Sequence, residues 1–159
     1  MTMNPANCSR RAAGARRVLL AALLCGASLA GATAMPSAAD AQARQHAVAN
    51  ALALAAQVQA RVADYRQRNN AFPSSNAEAQ VNPPTVIATA DVKSITVRGE
   101  GVVEVALTQT SGVEDGVIVL TPQIAKTADD GHVEWRCASA SYATIADMTG
   151  GQCEYSKLP

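Results

Sequence analysis

One stretch of this sequence, from Ala41 to about Arg68, contains neither Gly nor Pro and consists mainly of the helix-forming residues Ala, Gln, Leu and Arg. Apolar residues recur along it at the spacing of one helix face, at Val48, Leu52, Ala55, Val58, Val62 and Tyr65. The pair Asn69-Asn70 predicts the end of the helix, because Asn tolerates the left-handed backbone conformation common there. Since most of the stability of a helix in a protein comes from packing of its apolar face, the fold must supply a second layer.

Beyond Lys93 the apolar period changes to two, which is the spacing of one face of a β-strand. The alternating segments are Ser94–Arg98, Val103–Thr108, Gly116–Thr121 and His132–Cys137. Glycine-containing turns at Gly99-Glu100-Gly101 and Asp129-Asp130-Gly131 separate some of them, and Pro122 is expected to end the third. The sequence therefore predicts an α+β fold, in which the long N-terminal helix packs on a four-stranded antiparallel sheet.

The segment between the helix and the sheet has no regular apolar period. Phe72-Pro73 turns the chain, and Ser75-Asn76-Ala77-Glu78 has the spacing of a capping box, which predicts a short helix. Asn82-Pro83-Pro84 is expected to end that helix, because proline lacks a backbone N–H and restricts the residue before it.

Near the N-terminus, four arginines without an acidic neighbour precede an apolar run, Val18–Ala30. The arginines are Arg10, Arg11, Arg16 and Arg17. Two sites of the A-x-A type follow the run, Ala32-Thr33-Ala34 and Ala39-Asp40-Ala41. These are the parts of a secretory signal peptide. We therefore expect residues 1–41 to be the signal, cleaved after Ala34 or Ala41, and residues 42–159 to form the domain.

Two other interpretations of the N-terminal segment are an uncleaved membrane anchor and a lipoprotein signal. The apolar run is shorter than the ~20 residues of a comfortable membrane span, which favours cleavage. Cys25 would carry the lipid in a lipoprotein, but Leu24 stands where a small residue is expected. We therefore expect a periplasmic or secreted protein with no stable membrane span after signal cleavage.

The net charge bears on the class of partner. The whole chain has 13 basic and 13 acidic residues. Removal of residues 1–41 takes away four of the basic residues and one of the acidic ones, which leaves a net charge near −3. A mildly acidic domain argues against a nucleic acid as its main partner.

Two of the four cysteines, Cys8 and Cys25, lie in the expected signal. The other two, Cys137 and Cys153, would reach an oxidising compartment, which predicts a disulfide bond between them. In the chain-entropy model, closing a loop of this size stabilises a fold by about 3 kcal/mol. Metal binding is the competing interpretation, but two cysteines without nearby ligands make a poor zinc site.

The loop 138–152 between the two cysteines is polar and tethered at both ends. We expect it to form a contact surface for a partner, with Tyr142 and Gln152 as candidate contact residues. A plain surface loop is the alternative interpretation.

Candidate catalytic and metal-binding residues are few. Neither His46 nor His132 has a recognisable catalytic partner in the sequence. The pairs Glu114-Asp115 and Asp129-Asp130 lack the alternate ligand spacing of a calcium loop and suit solvated turns. Trp135 alternates with Val133 along one strand, which favours core packing over a ligand platform. We therefore expect no enzymatic activity, no metal and no cofactor.

Two stretches of the chain resemble the type IV pilins. Tyr65–Ala79 resembles the end of the pilin spine helix and the loop that leaves it. Thr121-Pro122, followed by Gly131–Cys137 and a second cysteine near the C-terminus, resembles the last strands and the disulfide loop of that family. The resemblance extends over roughly Arg44–Cys153.

Two features depart from the family pattern. Pilins carry a short basic leader, a Gly before the cleavage site and an apolar half-helix with a Glu at its fifth mature position, and this N-terminus contains no such arrangement. Pro residues usually precede the second cysteine in the family, whereas Thr149-Gly150-Gly151-Gln152 does so here. The resemblance implies a binding or accessory protein with protein partners, either pilins or a surface receptor. The alternative is a structural pilus subunit on the cell surface with an atypical N-terminus.

Overall fold

The structure, a computed structural model, describes residues 37–125 and 132–156. Within this part of the chain, a long helix, α1 (Ala38–Asn69), precedes a five-stranded sheet. One short helix, α2 (Ile145–Met148), lies in the chain between the last two strands. The strands are β1 (Val92–Val97), β2 (Val103–Leu107), β3 (Val117–Ile124), β4 (Val133–Ser139) and β5 (Cys153–Tyr155). Single 3-10 turns lie at Pro84–Ile87, Gly99–Gly101 and Gln109–Ser111. The α+β fold predicted from the sequence is confirmed.

Helix α1 begins three residues before its predicted start, because Ser37 and Asp40 form a complete capping box. The Ser37 hydroxyl accepts from the Asp40 amide at 3.2 Å, and the Asp40 carboxylate accepts from the Ser37 amide at 3.1 Å. Local contacts of this kind satisfy backbone donors that the first turn leaves free. They also hold the pKa of Asp40 below its usual value, chiefly through the Ser37 hydroxyl.

The predicted end of α1 is confirmed. Asn70 has the left-handed conformation, with φ at 52°, and its amide donates to the Arg66 carbonyl at 2.9 Å. The Arg66 guanidinium donates to the Asn70 side chain and lies 5.5 Å from the centre of the Phe72 ring. The chain therefore leaves the helix at a defined angle toward the connecting segment.

One face of α1 lies against the sheet. Its buried residues are Ala47, Val48, Ala51, Ala55, Val58 and Val62, and all of these except Ala47 share one core with the buried residues of the sheet. Leu52 and Tyr65, which were also predicted for this face, are partly buried. Three alanines on this face allow the helix to approach its neighbours closely, which suits a core with few aromatic residues.

The short helix predicted at Ser75–Glu78 is wrong, because this segment forms turns. The Glu78 carboxylate accepts from the amide and the hydroxyl of Ser74, at 2.6 and 3.0 Å, and not from Ser75 as a capping box requires. These two hydrogen bonds lower the pKa of Glu78. The carboxylate is therefore committed to holding the turn.

Asn76 fixes this turn to the outer edge of the sheet. Its buried amide accepts from the Val97 amide at 2.6 Å and donates to the carbonyls of Ile95 and Asn82, at 3.0 and 2.8 Å. Thr89 covers the same edge farther along, since its backbone N–H and its hydroxyl bond the carbonyl and amide of Val92. The edge of β1 is therefore partly covered by groups from the connecting segment, which hinders the addition of another strand.

The sheet has five strands in the order β1-β2-β3-β4-β5, and not the four that were predicted. The first four pair antiparallel, as expected, whereas β5 pairs parallel to β4 over Cys137–Ser139 and Cys153–Tyr155. Three residues are too few to show an apolar period. The sequence pattern therefore gives no sign of the fifth strand, whose position depends on its pairing with β4.

Strand β3 continues through Pro122 to Ile124, so the predicted end at Thr121 is wrong. Its pairing with β2 ends where Leu120 faces Val103, and the rest of the strand pairs with β4 alone. Proline is tolerated in such a segment, because no strand on the open side requires its missing N–H. Pro122 is buried opposite Trp135, which is itself partly buried and packs against the core as predicted.

Among the described residues, no helix has the length and apolar character needed to cross a membrane. The apolar run Val18–Ala30 and both residues of Asp129-Asp130 lie outside the described residues.

Candidate functional site

The Cys137–Cys153 disulfide joins β4 to β5, as the sequence predicted. The two cysteines face each other in the parallel pair, with their Cα atoms 4.5 Å apart, and both side chains are buried. Because neighbouring parallel strands run in the same direction, the chain must cross from the end of β4 at Ser139 back to the start of β5 at Cys153. We call residues 138–152 the disulfide loop.

Thr149 holds the second half of the disulfide loop together. Its hydroxyl donates to the Ile145 carbonyl at 2.8 Å and accepts from the Cys153 amide at 3.1 Å. Ile145 is fully buried and anchors α2 in the core. The sequence pattern gives no sign of this role for Thr149, because its partners can be named only once α2 and β5 have been located.

The tip of the disulfide loop is open to solvent. Gly150 and Gly151 both have positive φ angles, of 62° and 84°, and a Cβ atom at either position would meet nothing within 4 Å. Gln152 is exposed beside them. These residues are available to a partner, and the contact role predicted for Gln152 stays a prediction.

Tyr142, the other candidate contact residue, points into the protein and is only 4% exposed. Its hydroxyl lies 2.6 Å from the Ser111 hydroxyl, which in turn donates to the Thr108 carbonyl at 2.8 Å. Tyr142 therefore links the disulfide loop to the turn between β2 and β3. Burial raises the pKa of the Tyr142 phenol, and the hydrogen bond to Ser111 offsets part of that rise.

Gly116 makes room for Tyr142. A Cβ atom at position 116 would overlap the Tyr142 hydroxyl and ring. The sequence pattern predicts a strand that starts at Gly116, and β3 begins at the next residue, Val117. The requirement for glycine comes from the tyrosine side chain and could not be inferred from the local pattern.

A crevice of about 430 Å³ lies between α1 and the disulfide loop. Leu52 of α1 and Met148 of α2 supply its largest apolar side chains, and Gln45 and Gln152 lie at its polar rim. Leu52 and Met148 are both partly buried against the core. At this crevice, exposed residues of the disulfide loop, Gly150 and Gln152, lie near exposed residues of α1, Gln45 and Ala49.

A second groove, of about 330 Å³, lies between α1 and the connecting segment. Leu54, Val58, Val81 and Ile87 form its apolar walls, and Arg61 lies at its edge. Nothing in the sequence pattern connects these residues, because they come from segments with different apolar periods. The two depressions share no lining residue.

Among the described residues considered for chemistry, His46, His132 and Asp115 lie in different parts of the fold. His46 is exposed near the start of α1, and His132 is exposed before β4. Asp115 pairs with Lys93 on the surface, and this pair raises the pKa of Lys93. In the ranges 37–125 and 132–156, no group of three or more His, Cys, Asp or Glu residues is placed to hold a metal ion.

A profile of the pilin family, whose members are described as bacterial filament proteins, matches residues 47–153. The match covers more than half of the chain and ends at the second cysteine of the disulfide. The chain belongs to the pilin family. No curated protein matches the chain at a significant level.

The limits of the pilin match coincide with the packed part of the fold. The match begins at Ala47, which is the first buried residue of α1, and includes β1 to β4 and the whole disulfide loop. The pilin resemblance found in the sequence is thereby confirmed. Its expected start at Arg44 differs from the matched start by three residues.

Proposed function

We propose that this pilin-family protein is an exported, non-enzymatic domain that binds other proteins of the cell envelope as an accessory component of a pilus system. Membership of a family of filament proteins supports a role through protein contacts at the cell surface. The exposed tip of the disulfide loop and the adjoining crevice offer a surface for such contacts. Either pilins or a surface receptor would be the partner.

The observation that supports the accessory role is the capped N-terminus of α1. In a filament subunit of this family, the spine helix continues toward the N-terminus as an apolar half-helix. Here Ser37 has an extended backbone, with ψ at 160°, and caps the helix together with Asp40. In the sequence, Pro36 precedes this cap, and proline disrupts a helix that would run through it.

The second candidate function is that of a structural pilus subunit with an atypical N-terminus. The family match itself favours this candidate, since the matched family is one of filament proteins. On this hypothesis the N-terminal apolar run would be retained and would anchor the subunit before assembly.

Fractionation of the native host separates the two candidates. Antibodies against this protein are used to probe the membrane, the sheared filaments, the periplasm and the culture medium, with the major pilin of the same cells as a control. The accessory role predicts the protein in the periplasm or the medium. Retention in the membrane together with recovery in filaments washed at high salt would contradict it and favour the structural subunit.

A further inference from the structure

The two A-x-A sites of the N-terminal segment differ in their relation to α1. Ala39-Asp40-Ala41 lies in the first turn of the helix, whereas Ala32-Thr33-Ala34 lies before the helix begins. We propose that the signal peptide is removed after Ala34, so that the mature protein begins at Met35. This inference rests on the proposed export of the protein and assigns the processing site that export requires.

The backbone at the second site is held in a helical turn. The Ala41 amide donates to the Ser37 carbonyl at 3.1 Å, and the peptide bond from Ala41 to Gln42 continues into α1. A peptidase binds the residues around its scissile bond in an extended form, so cleavage after Ala41 requires the first turn to unwind. Cleavage after Ala34 makes no such demand on α1.

The first turn is maintained by contacts between near neighbours in the sequence. The Ser37 hydroxyl also donates to the Asp40 carboxylate at 2.8 Å, in addition to the two backbone contacts of the capping box. Because all of these contacts lie within four consecutive residues, they favour the turn before the rest of the domain has folded. The second site is therefore the less accessible of the two during export as well as after it.

The two cleavage products also differ in how α1 would begin. Cleavage after Ala34 leaves Ser37 and Asp40 in place, and the negative Asp40 carboxylate lies near the positive end of the helix dipole. Cleavage after Ala41 removes both residues and places a new positively charged amino group at Gln42, which the dipole disfavours. Only the first product keeps a capped helix.

The position of the first site in the sequence agrees with this assignment. Ala32-Thr33-Ala34 follows the apolar run Val18–Ala30 closely, as a signal-peptide cleavage site does.

N-terminal sequencing and the intact mass of the full-length gene product, purified from its native host, test the inference. We expect a start at Met35 and a mass two hydrogens below that of the reduced chain. A start at Gln42 would overturn the inference but leave the proposed function intact. A start at Met1, or directly after Gly14 or Gly26, would overturn both.

Matched substitutions at the two sites give a second readout. We expect Ala34→Leu to abolish the species that starts at Met35, because a large residue does not suit a small-residue site. We expect Ala41→Leu, which makes the same change on the exposed first turn, to leave the yield of that species unchanged. The opposite pattern would assign processing to Ala41 and overturn the inference.

Discussion

Asn76 shows how much of this fold can depend on one polar side chain. This residue lies in the connecting segment, and its side-chain amide accepts from the backbone N–H of Val97 and donates to the backbone carbonyls of Ile95 and Asn82. The amide takes the place that a neighbouring strand would take at the edge of β1. A capping-box pattern had suggested a helix here, and the tertiary contact with β1 determined a turn instead.

Substitution Asn76→Ala should destabilise the protein by about 2 kcal/mol, because the buried amide of Val97 and carbonyl of Ile95 lose their partner. The free energy of unfolding in urea, measured for the wild type and the variant, checks this value. Asn69→Ala is the control, since the side chain of Asn69 is exposed at the helix end, and its effect should stay within about 0.5 kcal/mol. Equal effects of the two substitutions would show that the amide at position 76 contributes no more than a surface group.

The buried phenol of Tyr142 predicts a dependence of stability on alkaline pH. Its pKa is raised in the folded protein, mainly by burial, so the folded state holds this proton more tightly than the unfolded state does. The resulting stabilisation is fully present below the unfolded pKa of about 10 and is lost as the pH rises through the folded pKa. The free energy of unfolding should therefore fall more steeply above about pH 10 in the wild type than in Tyr142→Phe.

Tyr155 supplies the control for this comparison, because its side chain is 52% exposed. We expect Tyr155→Phe to keep the steep alkaline decline of the wild type. If Tyr142→Phe also kept it, another group would have to account for the decline, and the proposed effect of burial on Tyr142 would be wrong.

At the scale of elements, α1 and β5 differ in how far neighbouring residues in the sequence set their bounds. The start and end of α1 are set by residues within four positions of each terminus, namely Ser37 with Asp40 and Arg66 with Asn70. Strand β5 has three residues, and it is positioned by β4, by the disulfide and by Thr149. Helix α1, whose end was predicted correctly and whose start was predicted within three residues, is therefore the element whose signals lie within it or directly beside it.

Removal of the disulfide should loosen β5 before the rest of the sheet. The double variant Cys137→Ser/Cys153→Ser loses the constraint on a loop whose closure contributes about 3 kcal/mol. In hydrogen exchange, the amides of residues 153 and 156, which donate to Thr149 and Ser139, should lose more protection than the amides of β2. An equal loss of protection in β5 and β2 would show that the bond stabilises the fold only as a whole.

A reducing agent provides the control for this prediction. It should lower the stability of the wild type toward that of the double variant and should leave the double variant unchanged. A large effect on the double variant would mean that the reagent acts on something other than the Cys137–Cys153 bond.

At the scale of the whole molecule, the two edges of the sheet limit self-association. The β1 edge is partly covered by Asn76 and Thr89, and the β5 edge has only three residues. Long uncovered edges are the usual sites at which two sheets join. At the β1 edge, the described part of the chain therefore offers little backbone for joining two copies through their sheets.

We expect the mature protein to sediment as a monomer, and the double variant Asn76→Ala/Thr89→Ala to associate as its concentration is raised. Analytical ultracentrifugation of both proteins measures this difference. The control variant Asn69→Ala/Thr85→Ala changes two exposed positions of the same residue types and should remain monomeric. Association of the control, or a monomeric edge variant, would show that these two side chains do not protect the edge.

The sequence by itself determined the long helix, the four antiparallel strands, the disulfide pairing and the membership of the pilin family. Apolar periods and the residues that end a helix act over short ranges of the chain, and the two cysteines beyond the expected signal leave a single pairing. Only the tertiary structure decided the fifth strand, the continuation of β3 through Pro122, the turn at Asn76 and the inward position of Tyr142. Each of these depends on a partner that is distant in sequence, such as β4 for Pro122 or Ser111 for Tyr142. Hydrogen bonds and packing between distant segments form only once the chain has folded, so local patterns carry no record of them.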